Sequence, residues 1–257
     1  MNSSLQTVSI AEKTFLVTGA GTGIGYSIAE SLITLGAKVI LHCNWHIEAA
    51  QGLALKARSD CKVIQKDLSK PQAGQELVAE VLNLGFSIDG IVNNAGIMTE
   101  LSWDDNPSVW EETWLKTLQV NLIAVSAIAR RAIEHFQSKG GGIIVNISSR
   151  AAHRGDTPEY MHYGASKAAL SNLTKSIARD FAADGILAYS VCPGFVDTEM
   201  TADFIQNYAL SEIVSGIPLK RIAQPEEIAS MVVFLLSGTV PSATGTSIEI
   251  NGASYVR

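Results

Sequence analysis

Short apolar runs alternate with helix-length amphipathic segments from one end of the chain to the other. TFLVTG, KVILHC and IDGIVNNAG are such runs, and segments such as IGYSIAESLITLGA separate them. Runs of about five residues rich in β-branched side chains, alternating with amphipathic helices, indicate βαβ units and a parallel sheet. We count seven runs of this kind along the chain. We therefore predict an α/β fold: a doubly wound, seven-stranded parallel sheet flanked by helices.

No linker, repeat or low-complexity tract interrupts this alternation. The chain has 257 residues, a length that one large α/β domain accommodates. We therefore predict a single domain over residues 1–257, with no internal boundary. The least regular stretch covers residues about 197–222, after a late strand, where a connection of this kind commonly forms a lid.

Composition and charge exclude several classes of protein. Hydrophobic residues make up 47% of the chain, charged residues 17%, and the net charge is −6 without long basic runs, so we expect a packed globule that binds no nucleic acid. Cys43, Cys61 and Cys192 lie far apart, which predicts reduced thiols rather than a disulfide framework or a metal site. The sequence contains no secretory signal or membrane-spanning run, so we expect a cytoplasmic protein without membrane contact.

The stretch TGAGTGIG, residues 18–25, carries four glycines between a predicted strand and a predicted helix. Unpaired N–H groups and the positive end of the dipole at a helix start favour an anion, provided that no side chain intrudes. The GxGxxG fingerprint does not fit, since Ile24 or Tyr26 falls at its third glycine, and no Gly-Lys-Ser/Thr follows for a phosphate loop. A glycine-rich turn by itself fits a structural turn as well as a nucleotide site.

Five further motifs follow the glycine turn, which itself reads T-G-x-x-x-G-x-G. They are, in chain order, NNAG (93–96), VNL (120–122), NISS (146–149), YGASK (163–167) and PGFVDT (193–198). With these motifs in this order, from Lys13 to Tyr255, the chain resembles the short-chain dehydrogenase/reductase family of the classical type. The resemblance implies a Rossmann-like fold and an NAD(P)-dependent oxidoreductase that interconverts a carbonyl and a secondary alcohol (EC 1.1.1.-).

Tyr163 and Lys167 are four residues apart, so they share one face of a helix. A neighbouring ammonium stabilises phenolate, and we expect it to lower the pKa of the phenol enough for proton exchange near pH 7. The resemblance implies that Tyr163 is the general acid/base, that Ser149 donates to the substrate oxygen, and that Asn121 holds a water that relays protons to Lys167. Ser148 competes with Ser149 for the hydroxyl role, and the family pattern favours the second serine.

The resemblance also implies which residues bind the dinucleotide. Asp67 would face the adenine through its carboxylate and Leu68 through its backbone, although a turn aspartate at a strand end explains Asp67 nearly as well. Asn93 fits a structural role within the sheet. The full set of expected cofactor residues is Gly19, Thr22, Gly23, Ile24, Gly25, Cys43, Asn44, Asp67, Leu68, Asn94, Ala95, Gly96, Tyr163, Lys167, Pro193, Gly194, Val196 and Thr198.

The choice between NAD and NADP depends on the end of the second predicted strand. An acidic residue there binds the adenosine ribose hydroxyls in NAD enzymes and repels a 2′-phosphate. Cys43 and Asn44 occupy this place, and the basic residue that NADP enzymes often carry in the glycine turn is also missing. His42, Asn44 and His46 could donate hydrogen bonds to a phosphate, which favours NADP(H) slightly.

The expected partners depend on surface charge and on the family resemblance. Asp180 and Asp184 lie where a docking surface for an acidic carrier protein needs basic residues, so a small ketone, sugar or cyclic alcohol is favoured as substrate over an acyl carrier protein. The resemblance implies a homotetramer built on the helices containing AIARRAIEHF and SIARDFA. The alternatives are a 3-oxoacyl-carrier-protein reductase and a non-catalytic dinucleotide-sensing regulator on the same fold.

Overall fold

A computed structural model describes residues 10–202 and 210–256 of the chain. Among these residues all seven predicted strands are present, and they pair into one parallel sheet. The strands are β1 (Thr14–Thr18), β2 (Lys38–Cys43), β3 (Lys62–Gln65), β4 (Gly90–Asn93), β5 (Gly142–Ile147), β6 (Ile186–Pro193) and β7 (Ser247–Ile250). The predicted sheet is therefore confirmed.

The order of the strands across the sheet is β3-β2-β1-β4-β5-β6-β7. The chain runs outward from β1 to β3 and then returns to the other side of β1 at β4. In open α/β sheets a ligand crevice forms at the carboxyl ends of the strands where the order reverses. The carboxyl ends of β1 and β4 are therefore the expected place for a site.

Helices cover both faces of the sheet. They are α1 (Gly23–Thr34), α2 (Ile47–Lys56), α3 (Ala73–Asn83), α4 (Pro107–Leu118), α5 (Ala124–Lys139), α6 (Ala151–Arg154), α7 (Met161–Phe181), α8 (Leu210–Ser215) and α9 (Pro225–Leu236). The core on one face includes residues of α1, α2 and α9, and the core on the other face includes residues of α3, α5 and α7. This two-layer burial is what the near-continuous apolar strands require.

One predicted helix is interrupted. The sequence WEETWLKTLQVNLIAVSAIARRAIEHF reads as a single amphipathic helix, but α4 and α5 are separated by a π-helical segment, Gln119–Ile123. A π segment contains one extra residue per turn and often marks a functional position in a helix. Asn121, at its centre, is fully buried.

The segment predicted as a lid is described in part. Residues 199–202 are helical, α8 begins at Leu210, and residues 203–209 lie outside the described part of the chain. Phe204 and Tyr208, which the sequence places in the lid, therefore carry no structural account. Within the described residues, no helix combines the length and the apolar character that crossing a bilayer requires.

Candidate active site

The glycine turn joins β1 to α1 in the way that the spacing predicts. Gly19 and Gly23 have positive φ angles of 67° and 55°, which glycine adopts without strain. A side chain at Gly25 would overlap the carbonyl oxygen of Gly19, so the turn closes this tightly only because position 25 has no Cβ. Thr22 caps α1 in an extended conformation and makes no side-chain cap hydrogen bond. The first N–H groups of α1 are therefore available to an anion in the cavity beside them.

Asn94 and Thr18 connect this turn to the end of β4. The side-chain amide of Asn94 donates to the carbonyl oxygens of Thr18 and Gly19 at 3.0 and 3.2 Å. The hydroxyl of Thr18 accepts from the backbone N–H groups of Asn94 and Ala95, each at 3.0 Å. Asn94 therefore reaches the site as predicted, and its amide also fixes the backbone of the phosphate-binding turn.

Asn93 has the structural role that its position suggested. Its side-chain amide donates to Asn146 of β5 at 2.8 Å, and Asn146 donates in turn to Thr174 of α7 at 2.8 Å. These buried polar contacts tie β4, β5 and α7 together directly below the site. They hold the helix that carries Tyr163 and Lys167 against the sheet.

His42 does not act as the predicted phosphate donor. The ring is buried, its Nδ1 accepts from the N–H of Gly19 at 3.4 Å, and its Nε2 donates to the carbonyl of Lys66 at 2.9 Å. Burial lowers the pKa of His42 to about 4, with the nearby charge of Lys66 acting in the same direction. A neutral ring with both nitrogens committed to backbone groups has no donor left for a ligand. His42 instead supports the glycine turn from β2.

The rest of the β2 end faces the cavity. Cys43, Asn44, Trp45 and His46 all line it, and the backbone carbonyl of Asn44 accepts from Gln65 at 3.0 Å. Trp45 is 75% exposed. His46 pairs with Glu199 at 3.4 Å across the cavity mouth. The ammonium of the neighbouring Lys66 pairs with Glu76 and Glu80, so a phosphate donor at this edge has to come from Asn44 or His46 rather than from His42.

Asp67 and Leu68 follow β3 and line the same cavity. The carboxylate of Asp67 accepts from the N–H of Ser69 at 2.9 Å, and the contacts with Ser69 are the main reason that the pKa of Asp67 is lowered. The carbonyl of Leu68 accepts from Gln119 at 3.5 Å. Asp67 thus stabilises a turn and also lines the cavity, so a structural role and a role in adenine binding are compatible.

Asn121 uses its side chain to hold a loop. Its Oδ1 accepts from the N–H of Ile97 at 2.8 Å, and its Nδ2 donates to the carbonyl of Ile97 at 2.9 Å and to the hydroxyl of Ser166 at 3.1 Å. A side-chain amide has two donor hydrogens, and both are committed here. The side chain therefore fixes the loop after β4 against α7.

The two serines after β5 point to different places. The hydroxyl of Ser148 is buried between the carbonyl of Lys167, at 3.0 Å, and the hydroxyl of Ser171, at 2.7 Å. The hydroxyl of Ser149 accepts from the N–H of Ala151 at 3.1 Å and lies near enough to Tyr163 to lower the pKa of the phenol against the effect of burial. Ser148 thus serves the packing of α7, and Ser149 is the hydroxyl that faces the phenol.

Tyr163 and Lys167 lie on one face of α7, as predicted. The ammonium of Lys167 is 5.8 Å from the centroid of the Tyr163 ring, and it donates to the carbonyl of Ile147 at 2.8 Å. It also lies close to Gly96, where a Cβ would be 3.3 Å from its nitrogen. The small residue at position 96 therefore leaves room for the lysine at the cavity floor.

The expected acidity of Tyr163 is wrong for this structure. Burial raises the pKa of Tyr163 to about 12, and the hydrogen bond from Ser149 offsets this only in part. Burial also lowers the pKa of Lys167 to about 8. Removing water disfavours phenolate and ammonium alike, and the lysine does not compensate for the loss of solvation around the phenol. Tyr163 is consequently protonated and neutral at pH 7.

The motif after β6 closes the other side of the cavity. Pro193, Gly194, Phe195, Val196 and Thr198 line it. The methyl group of Thr198 would lie 3.1 Å from a Cβ placed at Gly23, so this segment approaches the glycine turn directly. Met200, also predicted in the lid, lines the cavity with Phe195.

Residues between Ser149 and Tyr163 mostly pack away from the cavity. His153, Glu159, Tyr160 and His162 are absent from its lining among the described residues. Tyr160 donates to Glu100 at 3.3 Å. His162 is fully buried against Trp114, at 6.0 Å between ring centroids, in an aromatic row that continues to Trp110 and Trp103. Trp103, Trp110 and Trp114 pack in this row.

One cavity of about 460 Å³ joins all of these parts. It runs from the glycine turn, past the ends of β2 and β3, to Ser149, Tyr163 and Lys167. Every predicted cofactor residue except Gly25 lines it, and Gly25 lies beneath the turn. Sequence reasoning missed Trp45, Lys66, Ile97 and Met98, which also line it. Each of these comes within a few residues after a strand end, which is the signal that could have identified them.

The donors and the shape of this cavity fit a dinucleotide. Uncapped N–H groups at the start of α1 fit a pyrophosphate, and the glycines there leave the backbone open to it. The exposed Trp45 and the polar ends of β2 and β3 fit an adenosine. Tyr163, Ser149 and Lys167 stand at the opposite end, where a nicotinamide and a substrate would meet.

Comparisons with known proteins agree with this geometry. The family profile described as "Enoyl-(Acyl carrier protein) reductase" matches residues 19–253. Acetoacetyl-CoA reductase of Rhizobium meliloti is 34% identical over 241 residues, which are 93% of this chain and 97% of that protein. The 2-dehydro-3-deoxy-D-gluconate 5-dehydrogenase of Bacillus subtilis is 35% identical over 249 residues, 95% of each chain.

A solved structure supports the same assignment. The 3-oxoacyl (acyl-carrier-protein) reductase of Agrobacterium tumefaciens, with NADP bound, superimposes with a TM-score of 0.87 at 29% identity, covering 97% of this chain and 96% of that one. The shared fold, the matching family profile and the similar proteins all indicate the same family. The chain belongs to the short-chain dehydrogenase/reductase family, and it is an NAD(P)-dependent oxidoreductase of CH–OH groups.

Proposed function

We propose that the chain reduces the carbonyl group of a small molecule to a secondary alcohol, with Tyr163 as the proton donor. The observation that carries this proposal is that Ser149 and Lys167 both lie beside Tyr163, at one end of the cavity that begins at the glycine turn. A carbonyl oxygen placed between Ser149 and Tyr163 would meet two hydroxyl donors. The same residues support the reverse oxidation.

The cofactor residues follow from the cavity. Thr22, Gly23 and Ile24, at the start of α1, would hold the pyrophosphate, and Asn44 with Asp67 and the backbone of Leu68 would hold the adenosine. Lys167 would hold the nicotinamide ribose, and Asn94, Ala95 and Gly96 would line the adenosine ribose side of the cofactor. The bound nicotinamide supplies or accepts the hydride, and the protein contributes placement and the proton.

The proton moves through Tyr163. Ser149 and Tyr163 donate hydrogen bonds to the carbonyl oxygen and polarise it, so negative charge develops there as the carbon is reduced. Tyr163 then gives its proton to this oxygen and becomes phenolate. The ammonium of Lys167, 5.8 Å from the ring centroid, stabilises that phenolate. Asn121 acts as a positioning residue, because its amide fixes the loop at Ile97 against α7.

A pKa of about 12 suits a proton donor that must be fully protonated at neutral pH. A phenol of this pKa is rarely ionised at neutral pH, so it is seldom available as the base that oxidation needs. The raised pKa therefore supports Tyr163 as the proton donor in the reductive direction.

The preference for NADP(H) rests on the β2 end. No carboxylate stands at the end of β2, where Cys43 and Asn44 lie. Asn44 and His46 line this region of the cavity, and His46 pairs there with Glu199 at 3.4 Å. A 2′-phosphate there meets hydrogen-bond donors and no opposing acid from β2. The solved relative with NADP bound is consistent with this choice.

The substrate is a freely diffusing ketone, sugar derivative or cyclic alcohol rather than an acyl group on a carrier protein. Asp180 and Asp184 are exposed near the end of α7, where an acidic carrier would be repelled. A 3-oxoacyl (acyl-carrier-protein) reductase shares this fold, so a carrier-linked acyl group is the alternative substrate that the test compares.

Assembly and location complete the proposal. The chain is one domain with a lid over residues about 197–222, and it forms a homotetramer through the exposed faces of α4, α5 and α7. Exposed apolar residues on this side include Val109, Leu115 and Ile123, which an interface would bury. A cytoplasmic location is part of the same proposal.

The test is a panel of small ketones, keto-sugars and cyclic ketones with NADPH and with NADH, followed by loss of the near-ultraviolet absorbance of the reduced nicotinamide. The proposal expects turnover of at least one small carbonyl and faster turnover with NADPH. The same assay with an acyl-carrier thioester provides the comparison. A chain that binds NADPH and reduces only the carrier-linked substrate contradicts the proposed substrate class, and one that binds it and reduces nothing is a sensor.

A further inference from the structure

His153, Cys192 and Glu249 come together outside the cavity described above. Each offers one ligand atom, an imidazole nitrogen, a thiol sulfur and a carboxylate oxygen, and these atoms all lie within 4.8 Å of one another. The Nδ1 of His153 is 2.8 Å from a carboxylate oxygen of Glu249. The three residues are 39 to 96 positions apart in sequence, so local spacing gives no sign of the cluster.

The fold builds this cluster from three elements. Cys192 of β6 and Glu249 of β7 are register partners in the sheet, so their side chains lie side by side on one face. The N–H of Arg150 donates to the carbonyl of Pro193 at 2.9 Å and thereby holds the start of α6 against the end of β6. This contact brings His153, three residues later, over the pair.

Neighbouring residues orient the ligand atoms. The ring of Tyr255 stacks on that of His153 with 6.2 Å between centroids and an interplanar angle of 23°. The amide of Asn251 donates to the second carboxylate oxygen of Glu249 at 3.1 Å, which leaves the first oxygen turned towards His153. Such outer contacts fix ligand direction in metal sites.

The cluster is enclosed on one side and open on the other. Cys192 is fully buried, whereas the side chains of His153 and Glu249 are 12% and 19% exposed. A second cavity, of about 540 Å³, is lined by Glu249, Asn251 and Tyr255. This cavity reaches the cluster at Glu249, the most exposed of the three side chains.

We propose that His153, Cys192 and Glu249 bind a divalent transition-metal ion of the zinc type. Thiolate, imidazole and carboxylate are the ligands that zinc takes, and the sulfur disfavours magnesium and calcium. Bonds of about 2.0–2.3 Å place the ligands of a tetrahedral ion within about 4 Å of one another, so shifts of less than about 1 Å close this cluster around it. The thiol of Cys192 releases its proton to the solvent on binding.

Cobalt(II) is the probe, because a thiolate ligand gives it a sulfur-to-metal charge-transfer absorption that oxygen and nitrogen ligands do not. The full-length chain, treated with a chelator and freed of it, is titrated with Co²⁺ without nicotinamide cofactor, and Zn²⁺ is then added in competition. The expected result is one equivalent of Co²⁺ per chain with the thiolate band, displaced by Zn²⁺.

Variants separate the cluster from adventitious binding. Cys192→Ser abolishes the band, whereas Cys61→Ser, a matched change at a half-buried cysteine in another part of the fold, retains it. His153→Gln and Glu249→Gln each weaken Zn²⁺ binding by at least about tenfold. If Cys192→Ser does not fold, the His153→Gln and Glu249→Gln variants test whether the cluster binds the metal, since both change partly exposed side chains.

A wild-type chain that shows no thiolate band, or a band that survives Cys192→Ser, overturns the proposal. The same holds if His153→Gln and Glu249→Gln both bind Zn²⁺ as tightly as the wild type. The binding readout needs no enzymatic substrate, so it stands or falls independently of the proposed function.

Discussion

His42 shows how one buried side chain supports the site without touching a ligand. Its two ring nitrogens join the backbone of Gly19 to that of Lys66, across the carboxyl ends of β1, β2 and β3. Nδ1 has to be unprotonated to accept from Gly19, and Nε2 has to carry a proton to donate to Lys66, so the ring has to stay neutral. The pKa of His42 is lowered to about 4, so protonating the ring costs more free energy in the folded chain than in the unfolded chain.

Stability should therefore fall when the pH drops below 6.5. The folded chain keeps His42 neutral down to a pH of about 4, whereas the unfolded chain takes up a proton near its ordinary pKa of 6.5, so the unfolded state binds more protons in this window. The loss reaches about 3 kcal/mol at pH 4, from about 1.4 kcal/mol per pH unit.

Urea unfolding of wild type and His42→Gln at several pH values between 4 and 7 measures this effect. The variant is less stable at pH 7 and loses less stability on acidification than the wild type. The difference between the two slopes isolates His42 from the carboxylates that also titrate in this range. Parallel curves for the two proteins would contradict the account.

At the residue scale, motif spacing predicted which side chains meet. Ser149, Tyr163 and Lys167 converge as expected, because residues four apart share a helix face and the strand end before α7 is fixed by the sheet. The acidity of Tyr163 and the role of His42 could not be predicted in this way. Both depend on burial, which is decided by packing around the residue and not by its neighbours in sequence.

At the element scale, the glycine turn between β1 and α1 depends on backbone contact. A Cβ at Gly25 would overlap the carbonyl of Gly19, which is backbone, and crowd the amide of Asn94, which is held by hydrogen bonds to Thr18 and Gly19. Gly52, by contrast, lies within α2 with open space around its missing Cβ.

The two glycines therefore respond oppositely to alanine. Gly25→Ala destabilises the fold by about 1–3 kcal/mol or more through overpacking and weakens dinucleotide binding. Gly52→Ala stabilises it by about 0.5–1 kcal/mol, since alanine loses less backbone entropy within a helix. Denaturant unfolding and NADPH titration of both variants test the pair. A stable Gly25→Ala chain with wild-type NADPH affinity would refute the packing of the turn.

The long helix illustrates what amphipathic periodicity misses. Apolar spacing predicts one helix through VNL, yet the extra residue of the π segment at Gln119–Ile123 rotates α5 about the helix axis relative to α4. Asn121, at the centre of this segment, is bonded to Ile97 and Ser166, which lie outside it. Tertiary hydrogen bonds of this kind leave no periodic trace in the sequence.

At the scale of the whole molecule, alternation of strand and helix patterns predicted the sheet, its parallel pairing and the position of the site at the strand ends. The order of the strands then brings distant residues together. The cluster of His153, Cys192 and Glu249 arises only from that order and from the packing of α6, so isolated cysteine positions gave no indication of it.

Cofactor preference is also a property of the assembled cavity. Asn44→Asp places a carboxylate at the end of β2, where it can bind the ribose hydroxyls of NAD and repel a 2′-phosphate. We expect NADPH binding to weaken by about tenfold, or about 1.4 kcal/mol, and NADH binding to tighten. Isothermal titration with both cofactors measures the change.

Asn172→Asp, at an exposed position of α7, is the matched control and should leave both affinities unchanged. Wild-type chain should bind NADPH more tightly than NADH. Tighter NADH binding by about tenfold or more in the wild type, a difference of about 1.4 kcal/mol, would contradict the preference.

The central claim is that Tyr163 transfers the proton, and kcat of Tyr163→Phe tests it most directly. Once a reducible carbonyl is identified from the panel, the variant should lose about 10²- to 10⁴-fold in kcat while its dissociation constant for NADPH stays within a few-fold of wild type. Tyr189→Phe is the matched control and should keep the wild-type kcat. Tyr189 lies in β6 outside the cavity lining, and its hydroxyl donates to the carbonyl of Val240 at 3.3 Å. A Tyr163→Phe chain that turns over at the wild-type rate would contradict the account.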